Sequence, residues 1–510
     1  MLWKIAKAGS HPAVVFAGEE LARCLRAMDS GAEIALLAFP QYDASITNVL
    51  WLGVCPEVSA RVEEPALDDA YSIHVEKGCG SIRGSNPRSV LLGVYRFLRE
   101  LGCAWVRPGT DGEILPKLDT SNACVHLEDA ASYRHRGLCI EGSVSYQHVS
   151  DTIDWLPKVG YNAYFNQFNN PVCFYGRWYN HAENPQFKPE PMSSAEIAAL
   201  RDQSVAEIKK RGLLYHAAGH GWTCEPFGIP GESWTSMKEP IPEASVQYLA
   251  EVGGKRALWG GVPLNTNLCY SNPVVRQTIA DAVAARCKAV PEIDYFQVWL
   301  ADGTNNHCEC ENCQKMRPSD WYVTLLNDID EKLTAMQLPT KVVFLLYVDL
   351  LWEPLEAALK NPDRFVMMFA PITRDYGQNY DQNLVYDGPM PEFKRNHLDF
   401  ATSLAVNLAQ LRQWQAQFTG DSFVYEYHLM YAHFNDPGYE YCARNTFEDM
   451  KGLRSIGING NISCQLMRSF FPSALPMQMM ALALWNRDAD YESNAQKYYL
   501  SAFGPDGLKV

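Results

Sequence analysis

The 510-residue chain has no run of about 18 consecutive apolar residues, the length a membrane helix needs. The stretch Ala481-Leu482-Ala483-Leu484-Trp485 is broken at once by Asn486 and Arg487. Basic runs are missing too. There are 44 Lys+Arg against 59 Asp+Glu, a net charge of −15, and phosphate binding needs a basic face, so a nucleic-acid partner is excluded. The start, Met1-Leu2-Trp3-Lys4-Ile5-Ala6-Lys7, alternates like a strand and lacks the apolar core and small-residue cleavage site of a secretory signal. Fifteen cysteines are scattered without a dense disulfide framework, which suits a reducing compartment. The expectation is a cytoplasmic protein with no membrane partner. What the chain does have is an ordinary globular balance, 47% hydrophobic and 20% charged. It also has an excess of rings, 13 Trp and 26 Tyr, of the kind spent on stacking against flat ligands or sugars.

Residues 1–125 read as a small α+β unit. Leu2–Ala8 and Val49–Val54 are expected strands, Tyr71–Val75 and Ser81–Gly84 a hairpin-like pair, and Gly18–Met28 and Pro87–Leu101 helices. In the last, Val90, Leu91, Val94, Phe97 and Leu98 share one face, Ser85 or Asn86 caps it, and Gly102 stops it. Leu118–Glu128 reads as a linker. From residue 130 to about 490 the rhythm changes to short apolar runs alternating with helical patterns, the grammar of a parallel sheet. The runs are His135–Ile140, Tyr161–Gln167, Leu213–Ala218, Tyr295–Leu300, Lys341–Val348, Phe365–Ala370, Ser422–Tyr427 and Ile456–Cys464. Helical patterns lie at Ser194–Arg211, Asn272–Ala289, Trp321–Met336 and His397–Phe418. Eight such units predict a (β/α)8 barrel of the TIM type after the α+β unit, an α/β fold; a doubly wound open sheet is the alternative. Residues 491–510 read as the start of a C-terminal helical segment.

In a barrel, chemistry gathers at the C-terminal strand ends. There the chain places Glu141, Asn166, His220 with Trp222, Asp302, Tyr347, Arg374 with Asp375, and Glu426 with His428. Carboxylates, amides, imidazoles and rings at one rim are what a sugar site requires. Asp302 and Glu426 are the foremost catalytic candidates, with Glu141 held behind them. Each has a plainer role. Asp302 can cap a helix or anchor a turn, and Glu426, inside an apolar run, needs either the mouth or a partner. Glu141 can pair with Arg134 or Arg136, and Asp375 with Arg374. His216 and His220 read as pocket-wall histidines. Trp178, in the aromatic insertion with Phe174, Tyr175 and Tyr179, and Trp222, in the next insertion with Trp234, are the candidate sugar-stacking rings.

The densest local signal is His307-Cys308-Glu309-Cys310-Glu311-Asn312-Cys313. Cys308, Cys310 and Cys313 resemble half of a structural zinc site, with His307 or a distant thiol such as Cys224 or Cys269 as fourth ligand. The alternative is a reduced Cys-rich loop beside the mouth. No cofactor is expected for catalysis.

Asn86-Pro87-Arg88, Leu92-Gly93-Val94-Tyr95-Arg96-Phe97-Leu98-Arg99-Glu100-Leu101-Gly102, Trp105, Pro108-Gly109 and Gly112-Glu113 resemble the end of the small domain that precedes the barrel in α-glucuronidase-like and hexosaminidase-like glycosidases. Trp299 to Cys313, with Ser319-Asp320 and Leu325-Leu326-Asn327, resembles the core motif of the domain of unknown function 4838, part of which is classed as glycoside hydrolase family 163, endo-β-N-acetylglucosaminidases. The resemblance implies a glycosidase scaffold and a carbohydrate substrate. One departure stands out: substrate-assisted hexosaminidases set Asp and Glu side by side after strand four, whereas Asp302 is followed by Gly303. The second carboxylate must therefore come from another strand.

The sequence thus predicts a glycoside hydrolase acting on an oligosaccharide or glycoside, with N-acetylglucosamine-containing substrates among the candidates and a homo-oligomer as a candidate assembly. Its rivals are a non-catalytic carbohydrate-binding protein on the same scaffold, and a zinc-dependent hydrolase using His216, His220 and the cysteine loop.

Overall fold

The computed structural model describes residues 2–181, 184–231, 233–381, 383–430, 432–467 and 469–509. Its first part is a six-stranded sheet of β1 (Leu2–Ala8), β2 (Glu33–Phe39), β3 (Leu50–Val54), β4 (Ala70–Glu76), β5 (Cys79–Gly84) and β6 (Cys124–Ala130), in the order β2-β1-β3-β5-β4-β6. β1, β2, β3 and β5 run parallel, and β4 is antiparallel to both β5 and β6. Helices α1 (Pro12–Met28) and α2 (Pro87–Glu100) pack against it. The side chain of Asn86 accepts the Ser89 N–H at 2.9 Å to cap α2, and Pro87 opens the first turn, where its missing N–H costs nothing. Two strands depart from expectation. β2 is half-exposed with no clean alternation, and the presumed linker Leu118–Glu128 supplies most of β6, an edge strand whose polar residues hide its pattern.

The second part is a closed barrel of eight parallel strands, each hydrogen-bonded to the next in sequence: β7 (His135–Ile140), β8 (Ala163–Asn166), β9 (Leu214–Ala217), β10 (Tyr295–Val298), β11 (Lys341–Leu346), β12 (Phe365–Phe369), β13 (Ser422–Leu429) and β14 (Gly460–Gln465). β14 pairs back onto β7, so the open-sheet alternative is excluded. Every one of the eight predicted runs contains a strand, the last starting four residues later than expected, at Gly460. They were visible because strands buried on both faces read as continuous apolar runs. The interior is filled, as parallel barrels are. His216 stacks on Tyr295 with centroids 4.5 Å apart and meets Phe165 and Phe423 edge-on. His216 is therefore a neutral plug beneath the mouth, its imidazole held well below the usual histidine range by burial and by the nearby His135.

The sheet is fastened to the N-terminal end of the barrel by a fully buried carboxylate. Asp69 binds Arg88 at 2.9 Å and Arg136 at 2.7 Å, and accepts from Asn162 at 2.9 Å and Ser89 at 2.6 Å. Burial alone would raise Asp69, but the two guanidiniums hold it far below the ordinary carboxylate range. Arg134 binds Asp68 and Asp421. Both arginines near Glu141 in sequence are thus committed elsewhere.

Candidate functional site

A cavity of about 90 Å³ opens at the C-terminal mouth of the barrel, lined by Glu141, Gln167, His220, Trp299, Leu300, Ala301, Asp302, Leu345, Tyr347, Ile372, Tyr425, Tyr427 and Met430. A larger cleft of about 380 Å³, around Arg61, Asp69, Tyr133 and Arg134, lies at the opposite end. Asp68 and Asp69 there are paired with Arg134 and Arg136 across the sheet–barrel junction, and parallel barrels place their chemistry at the other face, so the mouth is the candidate site.

Strand alternation decides which side chains reach the cavity. Cys139 lies in the barrel interior, so Glu141 two residues on also turns inward; by the same period Phe165 points to Gln167 and Tyr425 to Tyr427. Glu141 Oε2 accepts hydrogen bonds from Gln167 Nε2 and from the Cys464 thiol, each at 3.0 Å. No cation pairs with it among the described residues, and burial raises its carboxyl above the ordinary glutamate value, with Asp302 adding in the same direction. The Oε1 of Gln167 is buried without a hydrogen-bond partner among the described residues, a polar group of the cavity wall left for a ligand.

Asp302 follows β10 and accepts the Trp234 indole N–H at 2.8 Å. Gly303 lets the chain pass close to the Asn265 segment: a Cβ would lie 2.4 Å from the Asn265 carbonyl oxygen. His220 is walled by Phe168, Trp234 and Trp299, with centroids 4.7–5.3 Å away. Burial lowers its imidazole to about 4 against the opposing pull of Asp302, so near neutral pH it is an uncharged hydrogen-bonding wall. Gly219 is required by this packing, because a Cβ there would sit 2.5 Å from the Trp299 ring. Tyr347 lines the far side and is followed by Val348 at φ +42°, a conformation rare for a β-branched residue. That turn delivers Asp349 to the Asn305 N–H at 3.0 Å, tying the loop after β11 to the loop that carries Asp302.

The remaining predicted site residues lie elsewhere. Glu426 alternates with Tyr425 and Tyr427 and faces the outer layer, not the mouth. There it meets Arg374 at 3.2 Å with both side chains fully buried, and it accepts the Tyr380 hydroxyl. Arg374 also binds Asp449, on the helix Glu440–Gly452, and His428 Nε2 lies 2.7 Å from that same carboxylate. Burial would raise Asp449, but Arg374 and His428 hold it below the ordinary range. Glu426, Arg374 and His428 therefore form a charge-compensated core cluster, which corrects their assignment to catalysis and substrate binding. Asp375 does not pair with Arg374; it is exposed and accepts the Gly377 N–H at 2.8 Å in a local turn. Asn166 turns away from the mouth, its amide 3.5 Å from the Tyr215 hydroxyl. Trp222 is a core residue 4% exposed, donating to the Ala218 carbonyl at 2.7 Å and packing on Phe296. Trp178 is half-buried on the helix Val172–Tyr179 and is not part of the cavity wall.

The structure brings the candidates Glu141, Asp302, His220 and Tyr347 together at one cavity. It adds Gln167, Trp299, Tyr425 and Tyr427 to the lining and Trp234, named from sequence only as a ring of the second insertion, as the partner of Asp302. All but Trp234 were recoverable from the two-residue alternation of their strands. Trp234 comes from a long insertion, 68 residues from its partner. The cysteine loop gathers Cys308, Cys310 and Cys313 with Cys269, and the group includes neither His307 nor Cys224. It also excludes His216 and His220, so the zinc-hydrolase reading loses its ligand set.

A family model described as a domain of unknown function, DUF4838, matches residues 238–507, more than half of the chain. No curated protein matches the sequence. Among solved structures the chain is similar to a protein described as a GH138 enzyme targeting pectin rhamnogalacturonan II, with a TM-score of 0.55 and 12% identity over 99% of this chain and 53% of that one. It is similar to CpGH89 from Clostridium perfringens, solved with its substrate GlcNAc-alpha-1,4-galactose, with a TM-score of 0.51 and 12% identity over 86% of this chain and 47% of that one. A third, CpGH84D, gives a TM-score of 0.50 at 11% identity, covering 99% and 70%. The chain spans about half the length of the first two. At these identities the likeness is one of fold: a barrel scaffold that glycoside hydrolases use.

Proposed function

The chain belongs to the family of the domain of unknown function DUF4838, and on that premise we propose that it is a glycoside hydrolase acting on an oligosaccharide or glycoside, with Glu141 as proton donor and Asp302 as its carboxylate partner. One observation carries the reading. Two carboxyl groups from different strand ends line one aromatic cavity in unlike settings: Glu141 is half-buried among neutral partners, and Asp302 is held by an indole N–H. Glycoside cleavage needs one carboxyl that keeps its proton and one that faces the charge developing at the anomeric carbon. Burial of Glu141 favours its protonated form, so it gives that proton to the glycosidic oxygen as the C–O bond breaks. Asp302 faces the oxocarbenium-like carbon, and water completes the hydrolysis. Trp299, Tyr347, Tyr425 and Tyr427 supply rings for the sugar faces, and His220 and Gln167 supply hydrogen bonds for its hydroxyls.

N-acetylglucosamine-containing glycosides are the first substrate class to test, because CpGH89 is described with such a substrate. The experiment is a panel of aryl glycosides and free glycans, run with the wild type, Glu141→Gln and Asp302→Asn, with and without chelator. The reading expects turnover of at least one substrate, lost by about 100-fold or more in each variant. Sugar binding with no turnover across the panel would instead mark a carbohydrate-binding protein.

A further inference from the structure

Cys308, Cys310 and Cys313 come from the loop after β10, and Cys269 from the segment that leads into the helix Pro273–Ala289. The four Sγ atoms all lie within 4.8 Å of one another. Cys269 Sγ is 3.6 Å from Cys310 Sγ and 3.8 Å from Cys313 Sγ. Those separations are far beyond a disulfide bond of about 2.05 Å. They match the edge of a tetrahedron built on metal–sulfur bonds of about 2.3 Å, which is about 3.8 Å. The surroundings are also those of a thiolate site. The Glu251 N–H donates to Cys308 Sγ at 3.3 Å, and the Ser271 hydroxyl lies 3.0 Å from Cys313 Sγ. Arg256 Nη1 lies 3.9 Å from Cys308 Sγ, and Arg395 donates to the carbonyls of Cys308 and Cys313. Two guanidiniums thus stand beside a group that would carry a charge of −2 as a zinc tetrathiolate.

A second gathering of possible ligands, Glu76, Cys124 and His126, is fully exposed. Its proximity follows from neighbouring positions on one antiparallel ladder.

We propose that Cys269, Cys308, Cys310 and Cys313 bind one structural zinc ion, independently of whether the chain is a glycosidase. Four sulfur ligands close the tetrahedron and leave no open position for substrate or water, so the ion staples rather than catalyses. It joins the loop that begins at Asp302 to the start of the helix Pro273–Ala289, one side of the mouth. The ligand set mixes a tight local trio with one thiol 39 residues earlier, so the metal closes a long loop and its binding energy adds to the stability of the folded chain.

The test is metal content and coordination of the whole chain, purified under reducing conditions without chelator. Elemental analysis should find one zinc per chain, and X-ray absorption should find four sulfurs at about 2.3 Å. Any chain that arrives without metal should take up one equivalent of Zn²⁺ or Co²⁺ anaerobically, the cobalt form showing the absorption of a tetrahedral thiolate site. Cys269→Ser should lose the ion or its four-sulfur shell, while Cys124→Ser, at an exposed cysteine outside the cluster, should keep both. A chain that neither contains zinc nor takes up one equivalent, or a shell that includes nitrogen in place of Cys269, would overturn the assignment. The wild-type readouts involve neither a variant nor turnover. They therefore decide the zinc site even if Cys269→Ser folds poorly or the chain shows no glycosidase activity.

Discussion

Glu141 and Glu426 invite comparison. Both are glutamates near the C-terminal ends of barrel strands and both are candidates from sequence, Glu141 half-buried and Glu426 fully buried. Glu141 faces inward to a cavity, where its partners are an amide and a thiol. Glu426 faces outward into the helix layer, where Arg374, Tyr380 and Asp449 surround it in a packed cluster. A buried carboxylate is expensive wherever it sits. In the outer layer the cost is offset by a guanidinium, and the product is rigidity. At the mouth no cation among the described residues offsets it, and the product is a carboxyl shifted toward its protonated form. Burial alone says nothing of function; the partners do.

The largest effect that sharpens this contrast belongs to the outer cluster. Arg374→Met leaves Glu426 and Asp449 buried beside one another without their cation and should destabilise by about 3–5 kcal/mol. Urea unfolding reads this directly, and an unchanged midpoint would mean the cluster is not charge-compensated. Trp222→Ala acts on the same outer side of the strands. It empties a core site packed on Phe296 and should cost about 3 kcal/mol without altering sugar affinity of the folded fraction. Weakened binding at unchanged stability would return Trp222 to the site.

Smaller, but of opposite sign in the two regions, is the pH dependence. Glu141 is raised from an ordinary value of about 4.5, so above that pH the native state keeps a proton that the unfolded chain releases. Its contribution to stability is fully present below about 4.5 and is lost as pH rises through its folded pKa. Asp449, which is lowered, contributes stability present above about 3.8 and lost as pH falls through its folded pKa. Unfolding free energies measured from about pH 4 to about pH 8 should show the wild type losing stability relative to Glu141→Gln as pH rises. Parallel curves would remove the argument that burial raises Glu141.

The barrel was legible from sequence because its strands are apolar on both faces. β2 and β6 were not, since exposed edge positions carry polar residues that break the pattern. The site was half legible. Glu141, His220 and Tyr347 continue the inward alternation of their strands and Asp302 reaches the cavity from the loop beyond β10, whereas Asn166, Glu426 and His428 stand one residue out of phase. That single-residue parity separates the mouth from the helix layer, and it can be read from the apolar neighbours Phe165, Phe423 and Tyr425. Trp234 and Cys269 arrive from distant insertions, and no local pattern announces such a meeting.

The central claim is that the inward glutamate reacts and the outward one supports. It is tested most directly by the turnover of Glu141→Gln and Glu426→Gln, each expressed per folded molecule on the substrate that the panel identifies. The account predicts a loss of about 100-fold or more for Glu141→Gln at nearly unchanged melting temperature. For Glu426→Gln it predicts a lowered melting temperature with the rate per folded molecule preserved. A Glu141→Gln variant that turns over normally, beside a stable Glu426→Gln variant that does not, would contradict it.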